Sequence, residues 1–210
     1  MNRRKIFILL FVFFLFVLIS TFIFFLAIHT KTTLATQAIK ELNDRGARIT
    51  HDGKFYSRGF LLDSMHHISD TFGYQAKLGH SVYDVHLTEE FSNADIILVN
   101  SIPHVKTLHL DSSKISNTGI LNLHGTDLLM ELTITGASCD EAGLEQLSKF
   151  KKLKKLTLIS LKYIDNYDYA FVSRLNLDLL TLKDITVDPI NLSKTLPINT
   201  KLSIQNTHSN

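Results

Sequence analysis

The stretches Val105-Lys106-Thr107-Leu108-His109-Leu110-Asp111 and Leu129-Met130-Glu131-Leu132-Thr133-Ile134-Thr135 share one pattern, apolar-x-x-apolar-x-apolar. The step from Val105 to Leu129 recurs: it carries Leu129, Leu132 and Ile134 to Leu153, Leu156 and Leu158, and these to Leu177, Leu180 and Leu182. A backward step one position shorter reaches Val82, Val85 and Leu87. A period of this size, held over five copies, signals a solenoid of stacked units. Within each copy the last two apolar positions stand two apart, the period of a strand with one buried face.

The residues after the strands repeat as well: Ile115-Ser116-Asn117-Thr118-Gly119-Ile120 is matched by Cys139-Asp140-Glu141-Ala142-Gly143-Leu144. Together these segments resemble the leucine-rich repeat, L-x-x-L-x-L-x-x-N/C-x-L, in its short bacterial, ribonuclease-inhibitor-like form. The resemblance covers roughly Val82 to Ile204. It implies an α/β solenoid of about five repeats, in which strand, loop and helix alternate and the strands form one parallel sheet. One departure concerns the turns. Where the family usually carries Asn or Cys, this chain has Ser113, Ala137, Leu161 and Ile185. The buried side-chain ladder that satisfies loop backbone groups at that position is therefore expected to be largely absent.

Upstream, Ile6 to Ile28 is an apolar run whose only polar members are Ser20 and Thr21. At 1.5 Å per residue such a helix spans about 35 Å, enough for a hydrocarbon core of roughly 30 Å. Arg3, Arg4 and Lys5 precede it and only Lys31 follows closely. The positive-inside rule then predicts a single-pass protein with a cytoplasmic N-terminus and an extracytoplasmic repeat domain. A cleaved signal peptide is the competing reading, with Thr33-Leu34-Ala35 as its possible cleavage site. The apolar run is longer than the roughly 7–15 residues of a signal h-region.

Thr33 to Arg45 reads as a separate amphipathic helix with Leu34, Ala38, Ile39 and Leu42 on one face, capped by Thr32 or Thr33 and ended by Gly46. Ala47 to Thr50 reads as a short strand, and Phe60 to Phe72 as a second helix with Phe60, Leu61, Met65, Ile68 and Phe72 on one side. These pieces are expected to cap the first repeat, because the end of a solenoid must be covered. The expected organisation is a tip and transmembrane helix over 1–29, a capping region over 30–81, repeats and a closing strand (Lys201 to Ile204) over 82–205, and a tail over 206–210. Pro189 and Pro197 fall between strands, where a missing N–H is tolerated.

Composition narrows the function. Eight of the 14 Phe lie between Phe7 and Phe25, so the rest of the chain is ordinary in composition. Beyond Lys5 there are 19 basic and 20 acidic residues, without the positive footprint of a nucleic-acid binder. The single cysteine excludes an intramolecular disulfide framework and a Cys-rich zinc site. Cys139 falls where the family buries an apolar residue, so it reads as a small buried hydrophobe. Phosphate-loop, nucleophile-elbow, H-E-x-x-H, C-x-x-C and EF-hand patterns are all missing, and the expectation is a protein without catalysis or cofactor.

In a strand the side chains alternate. With Leu108 and Leu110 inside, Thr107, His109 and Asp111 face out, and the other copies extend them into three ladders. These are Asp84-Thr107-Glu131-Lys155-Leu179, His86-His109-Thr133-Thr157-Thr181 and Thr88-Asp111-Thr135-Ile159-Lys183. The open face of a solenoid sheet is its usual binding surface. His86, Thr107, His109, Asp111, Glu131, Thr133, Lys155 and Thr157 are the candidate binding residues, for a protein or peptide partner. The face has no aromatic anchor, which points to a polar partner and modest affinity. The alternatives are a polar surface that only keeps the sheet soluble, and a structural envelope component without a specific ligand.

His86 and His109, with Asp84 and Asp111 near, have the donor types for a divalent metal or a pH sensor. Paired surface histidines are more often plain polar surface, so no metal is expected. His66-His67 is weaker, since neighbours on a helix do not converge. Lys149, Lys151, Lys152, Lys154 and Lys155 form a basic run that suits an anionic surface or acidic partner, and more commonly a solvated loop.

Overall fold

The computed structural model describes residues 3–51, 83–124, 126, 128–161, 169–186 and 189–205. Among the described residues the alternating apolar pattern produces seven strands in one sheet, ordered as they occur in the chain. They are β1 (Arg48–His51), β2 (Tyr83–Leu87), β3 (Val105–Asp111), β4 (Glu131–Thr135), β5 (Lys155–Ile159), β6 (Leu179–Lys183) and β7 (Lys201–Gln205). β1 pairs antiparallel with β2, and every later pair is parallel. Among the described residues short helices follow four of the parallel strands: α2 (Ile96–Asn100), α3 (Asn117–Asn122), α4 (Glu141–Glu145) and α5 (Pro189–Thr195). A 3₁₀ turn over Gln146–Lys149 continues α4, and another over Ala170–Arg174 follows β5.

The register follows the repeat. Leu108, Leu132, Leu156 and Leu180 stand opposite one another on successive strands, and so do Leu110, Ile134, Leu158 and Leu182. Val85 and Leu202 extend the first row at its two ends. From Val85 to Leu180 the row is at most 1% exposed. One core runs beneath this face and takes in Ile96 and Val99 of α2, Ile120 of α3, Leu144 of α4 and Leu192 of α5. Burial of this kind contributes about 25 cal/mol per Å² of apolar surface, which makes the leucine rows the main stabilising term. A bulge shifts the start of β2. Tyr83 faces Val105 while Asp84 faces Thr107, so buried Tyr83 takes the place expected of Val82, a residue outside those described.

Two further contacts recur with the repeat. After β4, β5 and β6 the chain turns through left-handed backbone at Gly136 (φ 65), Ser160 (φ 49) and Asp184 (φ 53). Each of these N–H groups donates to the last residue of the next strand: Ile159, Lys183 and Gln205, all at 2.9 Å. Glycine adopts this conformation freely, whereas Ser and Asp enter it at a cost.

The second contact links neighbouring loops. Asn93 accepts from Ser116 N at 2.9 Å and donates to Ser116 Oγ at 2.8 Å. Its counterpart Asn117 accepts from Asp140 N at 3.0 Å and donates to Asp140 Oδ1 at 2.6 Å. Asp140 in turn caps α4 by accepting from Gly143 N at 3.2 Å. Each asparagine fills the space that a side chain on the next copy's glycine would need: a Cβ on Gly119 would stand 2.4 Å from Asn93 Oδ1, and one on Gly143 would stand 2.1 Å from Asn117 Oδ1. The loops are thus tied by side chains at positions other than those the resemblance implies. Ser112, not Ser113, bonds the preceding loop, donating to Phe91 O at 2.6 Å, while Ala137, Leu161 and Ile185 are buried apolar residues.

The apolar run and the amphipathic segment are not two elements but one 42-residue helix, α1 (Arg3–Asp44). Thr33 caps nothing. Its Oγ1 donates to His29 O at 2.8 Å inside the helix, which leaves no interruption at this point. The buried face is Ala35, Ala38, Ile39 and Leu42, and Leu34 is 58% exposed because it sits one residue off that stripe. Gly46 ends the helix as expected, with its N–H donating to Asn43 O at 2.9 Å. Arg45 then forms an ion pair with buried Asp95, just before α2, and lies over the Phe91 ring at 5.1 Å. The expected strand after Gly46 is β1. The expected helix over Phe60 to Phe72, His66-His67 and the tail over 206–210 lie outside the described residues.

Candidate functional site

The alternation that buries the leucines turns the intervening residues to the other face of the sheet. His86, Thr107, His109, Asp111, Glu131, Thr133 and Thr157 are all half-buried there, and Lys155 is exposed. The first ladder runs Asp84-Thr107-Glu131-Lys155-Leu179 in register and goes on to Lys201. The second runs His86-His109-Thr133-Thr157-Thr181 and ends on Ser203. It presents a line of hydroxyls at the strand spacing of about 4.8 Å. All eight candidate residues therefore share one surface.

The third ladder differs at its start. β2 ends at Leu87, so Thr88 does not pair with Asp111. Instead Asp111 reaches diagonally to His86, whose Nε2 donates to Asp111 Oδ2 at 2.6 Å. The His86 and His109 rings lie 5.4 Å apart, tilted by 57°. Asp111 thus stands near the histidine pair, as the ladders imply, but its partner lies on the diagonal rather than straight across. The remainder, Asp111-Thr135-Ile159-Lys183, is in register and continues to Gln205.

Electrostatically the face falls into two parts. Over β2 and β3 it carries the His86–Asp111 pair. Over β4 and β5 Lys155 Nζ donates to Glu131 Oε1 at 2.8 Å. That hydrogen bond and the Glu131 charge hold the Lys155 ammonium above its ordinary pKa. Beside the second pair, on the same two strands, stand Thr133 and Thr157, which can donate to or accept from a partner's backbone. His86 gives Nε2 to Asp111, so His86 and His109 offer at most two ligands to a cation. Among the described residues no three His, Cys, Asp or Glu side chains are grouped to hold a metal ion.

Four of the five lysines in the basic run are engaged within the chain. Lys149 Nζ donates to the carbonyls of Ile120 and Leu121 at 3.1 and 2.9 Å, at the C-terminal end of α3, where burial depresses its pKa. Lys151 donates to Ser148 O, Lys154 to Asn176 O and Lys155 to Glu131. Cys139 is fully buried, and burial, with the neighbouring Asp140 charge, pushes its thiol up to about 12. It has the character of a core residue rather than a nucleophile.

Near the N-terminus, Leu10–Ala27 of α1 forms an 18-residue segment long and apolar enough to cross a membrane, and none of it is buried against the rest of the described chain. Comparison of the sequence with protein-family models and with curated proteins gives no match.

Proposed function

We propose that the chain is a membrane-anchored leucine-rich-repeat protein whose sheet face is a surface for binding another protein, without catalysis. The observation that carries the reading is the register. Positions one repeat apart pair strand by strand, with leucines on one face and the mixed polar ladders on the other. Such a face offers a partner hydrogen-bonding groups at regular spacing and, in the Glu131–Lys155 pair, charges already oriented, beside an Asp111 carboxylate held by His86. Pre-ordered groups lose less entropy on binding.

The continuity of α1 supports an anchor over a cleaved signal. Removal at Thr33-Leu34-Ala35 would sever the helix next to Ala35 and Ala38, both only 2% exposed. Arg3, Arg4 and Lys5 favour a cytoplasmic N-terminus and an extracytoplasmic repeat domain. The stretch of helix from Ala27 to Ala35 spans about 12 Å, which keeps the domain close to the bilayer.

Site-specific photo-crosslinking in intact cells tests the surface. A photoreactive residue at Thr133 or Thr157 is expected to give discrete crosslinked protein bands, weakened by His109→Ala with Glu131→Ala. The same probe at Leu121 or Ser173, on the helical side, is expected to give none. Crosslinks confined to the helical side would refute the assignment. For the anchor, a C-terminally tagged chain should stay in the membrane pellet after alkaline extraction and lose its tag when intact cells are shaved with protease. Release into the soluble fraction would refute it.

A further inference from the structure

The leucine row that begins at Val85 changes character at β7. Leu202 and Ile204 stand in register with the fully buried Leu180 and Leu182, yet both are only half-buried. Ile198, in the turn before β7, is 103% exposed. Among the described residues β7 pairs with β6 alone, so its outer edge is a row of main-chain donors and acceptors. Natural edges are blunted by central charges, prolines or bulges. The centre of β7, Leu202-Ser203-Ile204, has none of these.

The hydrogen bonds say which groups face outward. Lys201 N donates to Asp178 O at 3.0 Å, and Gln205 O accepts from Asp184 N at 2.9 Å. In a parallel strand the N–H and C=O of one residue point the same way and alternate along the chain. Lys201, Ser203 and Gln205 thus address β6, and Leu202 and Ile204 point their main-chain groups away from it.

The strand is also self-complementary. Turned antiparallel on itself about Ser203, it sets Leu202 against Ile204 of the second copy, Ser203 against Ser203, and Lys201 against Gln205. No like charges are opposed, and the two apolar pairs fall on the core side. The outward main-chain groups of Leu202 and Ile204 meet their counterparts in hydrogen-bonded pairs, four bonds in all. We propose that β7 is a homodimerisation edge, on which a second copy of this chain adds its own β7 antiparallel to make one continuous sheet with a two-fold axis at Ser203.

The register makes the proposal sharp. The Ser203 pair is non-hydrogen-bonded, with Cα atoms about 4.5 Å apart, within disulfide reach. The two Lys201 Cα atoms, displaced in opposite directions from the axis, are roughly 14 Å apart. The native Cys139 is buried and does not compete. In the full-length protein in detergent micelles, Ser203→Cys is expected to form a disulfide-linked dimer under mild oxidation at dilute concentration, and Lys201→Cys to remain uncrosslinked. Light scattering corrected for detergent should give wild type twice the 23.8 kDa chain mass. Ser203→Lys, which places two ammonium groups on the axis but touches no core residue, should give the single-chain mass with an unchanged circular dichroism spectrum.

A wild type that is monomeric at all concentrations would overturn the proposal. So would a Ser203→Lys dimer of undiminished stability, the result expected if association ran through α1 instead. Crosslinking that fails at Ser203→Cys, or is equally fast at Lys201→Cys, would overturn it as well.

Discussion

Replacing Gly143 by alanine tests the stacking of neighbouring copies directly. A Gly-to-Ala change inside a helix ordinarily stabilises by about 1 kcal/mol, and Gly143 is the central residue of α4. Here the new methyl would stand 2.1 Å from Asn117 Oδ1, 2.8 Å from its Cγ and 3.2 Å from its Cα. The amide must swing away, because the first two distances are inside van der Waals contact. Asn117 then loses its hydrogen bonds to Asp140 N and Oδ1, worth about 0.5–1.5 kcal/mol each. Overpacking against the Asn117 backbone, which cannot move aside cheaply, adds to this on the scale of about 1–3 kcal/mol. After the propensity gain is subtracted, Gly143→Ala is expected to destabilise by about 2 kcal/mol.

The assay is urea denaturation of the full chain in micelles followed by circular dichroism, with Asn117→Ala and the double variant completing a thermodynamic cycle. On the Asn117→Ala background the amide and its hydrogen bonds are already gone and only the contact with the residue-117 backbone remains, so the glycine substitution should cost less than in the wild type, giving a coupling above about 1 kcal/mol. If Gly143→Ala stabilises the wild type, or costs the same whatever stands at position 117, the close-approach argument is refuted.

Three further expectations follow from single sites. Burial alone would raise the Asp95 carboxyl, but hydrogen bonds from Arg45 and Ser92 outweigh it and hold Asp95 below its ordinary pKa. Its contribution to stability is therefore complete above the unfolded-state value of about 3.9 and is lost as pH falls through the lower folded-state value. Arg45→Ala should move the acid unfolding transition to higher pH and cost about 1–2 kcal/mol at neutral pH, discounted because the Arg45 side chain is 43% exposed; an unmoved acid limb would contradict the pairing. Ser160→Gly relieves left-handed strain at an exposed turn and should raise the urea midpoint by the equivalent of up to about 1 kcal/mol; a fall would show that the Ser160 side chain matters more than its backbone. Cys139 should resist iodoacetamide in the native protein at about pH 8 and react only once urea has unfolded it, and fast native alkylation would disprove its burial.

Much of the architecture was legible because it rests on spacing alone. A fixed repeat step and a strict inside–outside alternation assign each leucine to a face and each polar residue to a ladder, and the pairing of Leu108, Leu132, Leu156 and Leu180 follows them. The eight candidate face residues were legible for the same reason. The turn contacts were not. The leucine-rich-repeat pattern that the sequence resembles directs attention to Ser113 and its equivalents, whereas Ser112, Asn93 and Asn117 hold the loops, and an asparagine in a loop looks the same whether it meets water or a neighbour's backbone. The diagonal reach of Asp111 to His86 was hidden because it depends on where β2 stops.

The sequence by itself determined the strands, their order in the repeat and which face each side chain occupies, since alternation and period are properties of the local chain. Only the tertiary structure decided that α1 runs unbroken from the apolar segment onto the domain, that Gly119 and Gly143 are glycine to admit a neighbour's asparagine, and that four of the five lysines in the basic run bond carbonyls and carboxylates. The physical reason is distance along the chain. Asn93 and Gly119 lie more than a full repeat apart, as do Asn117 and Gly143, and Arg45 is farther still from Asp95, so which groups meet is settled by packing.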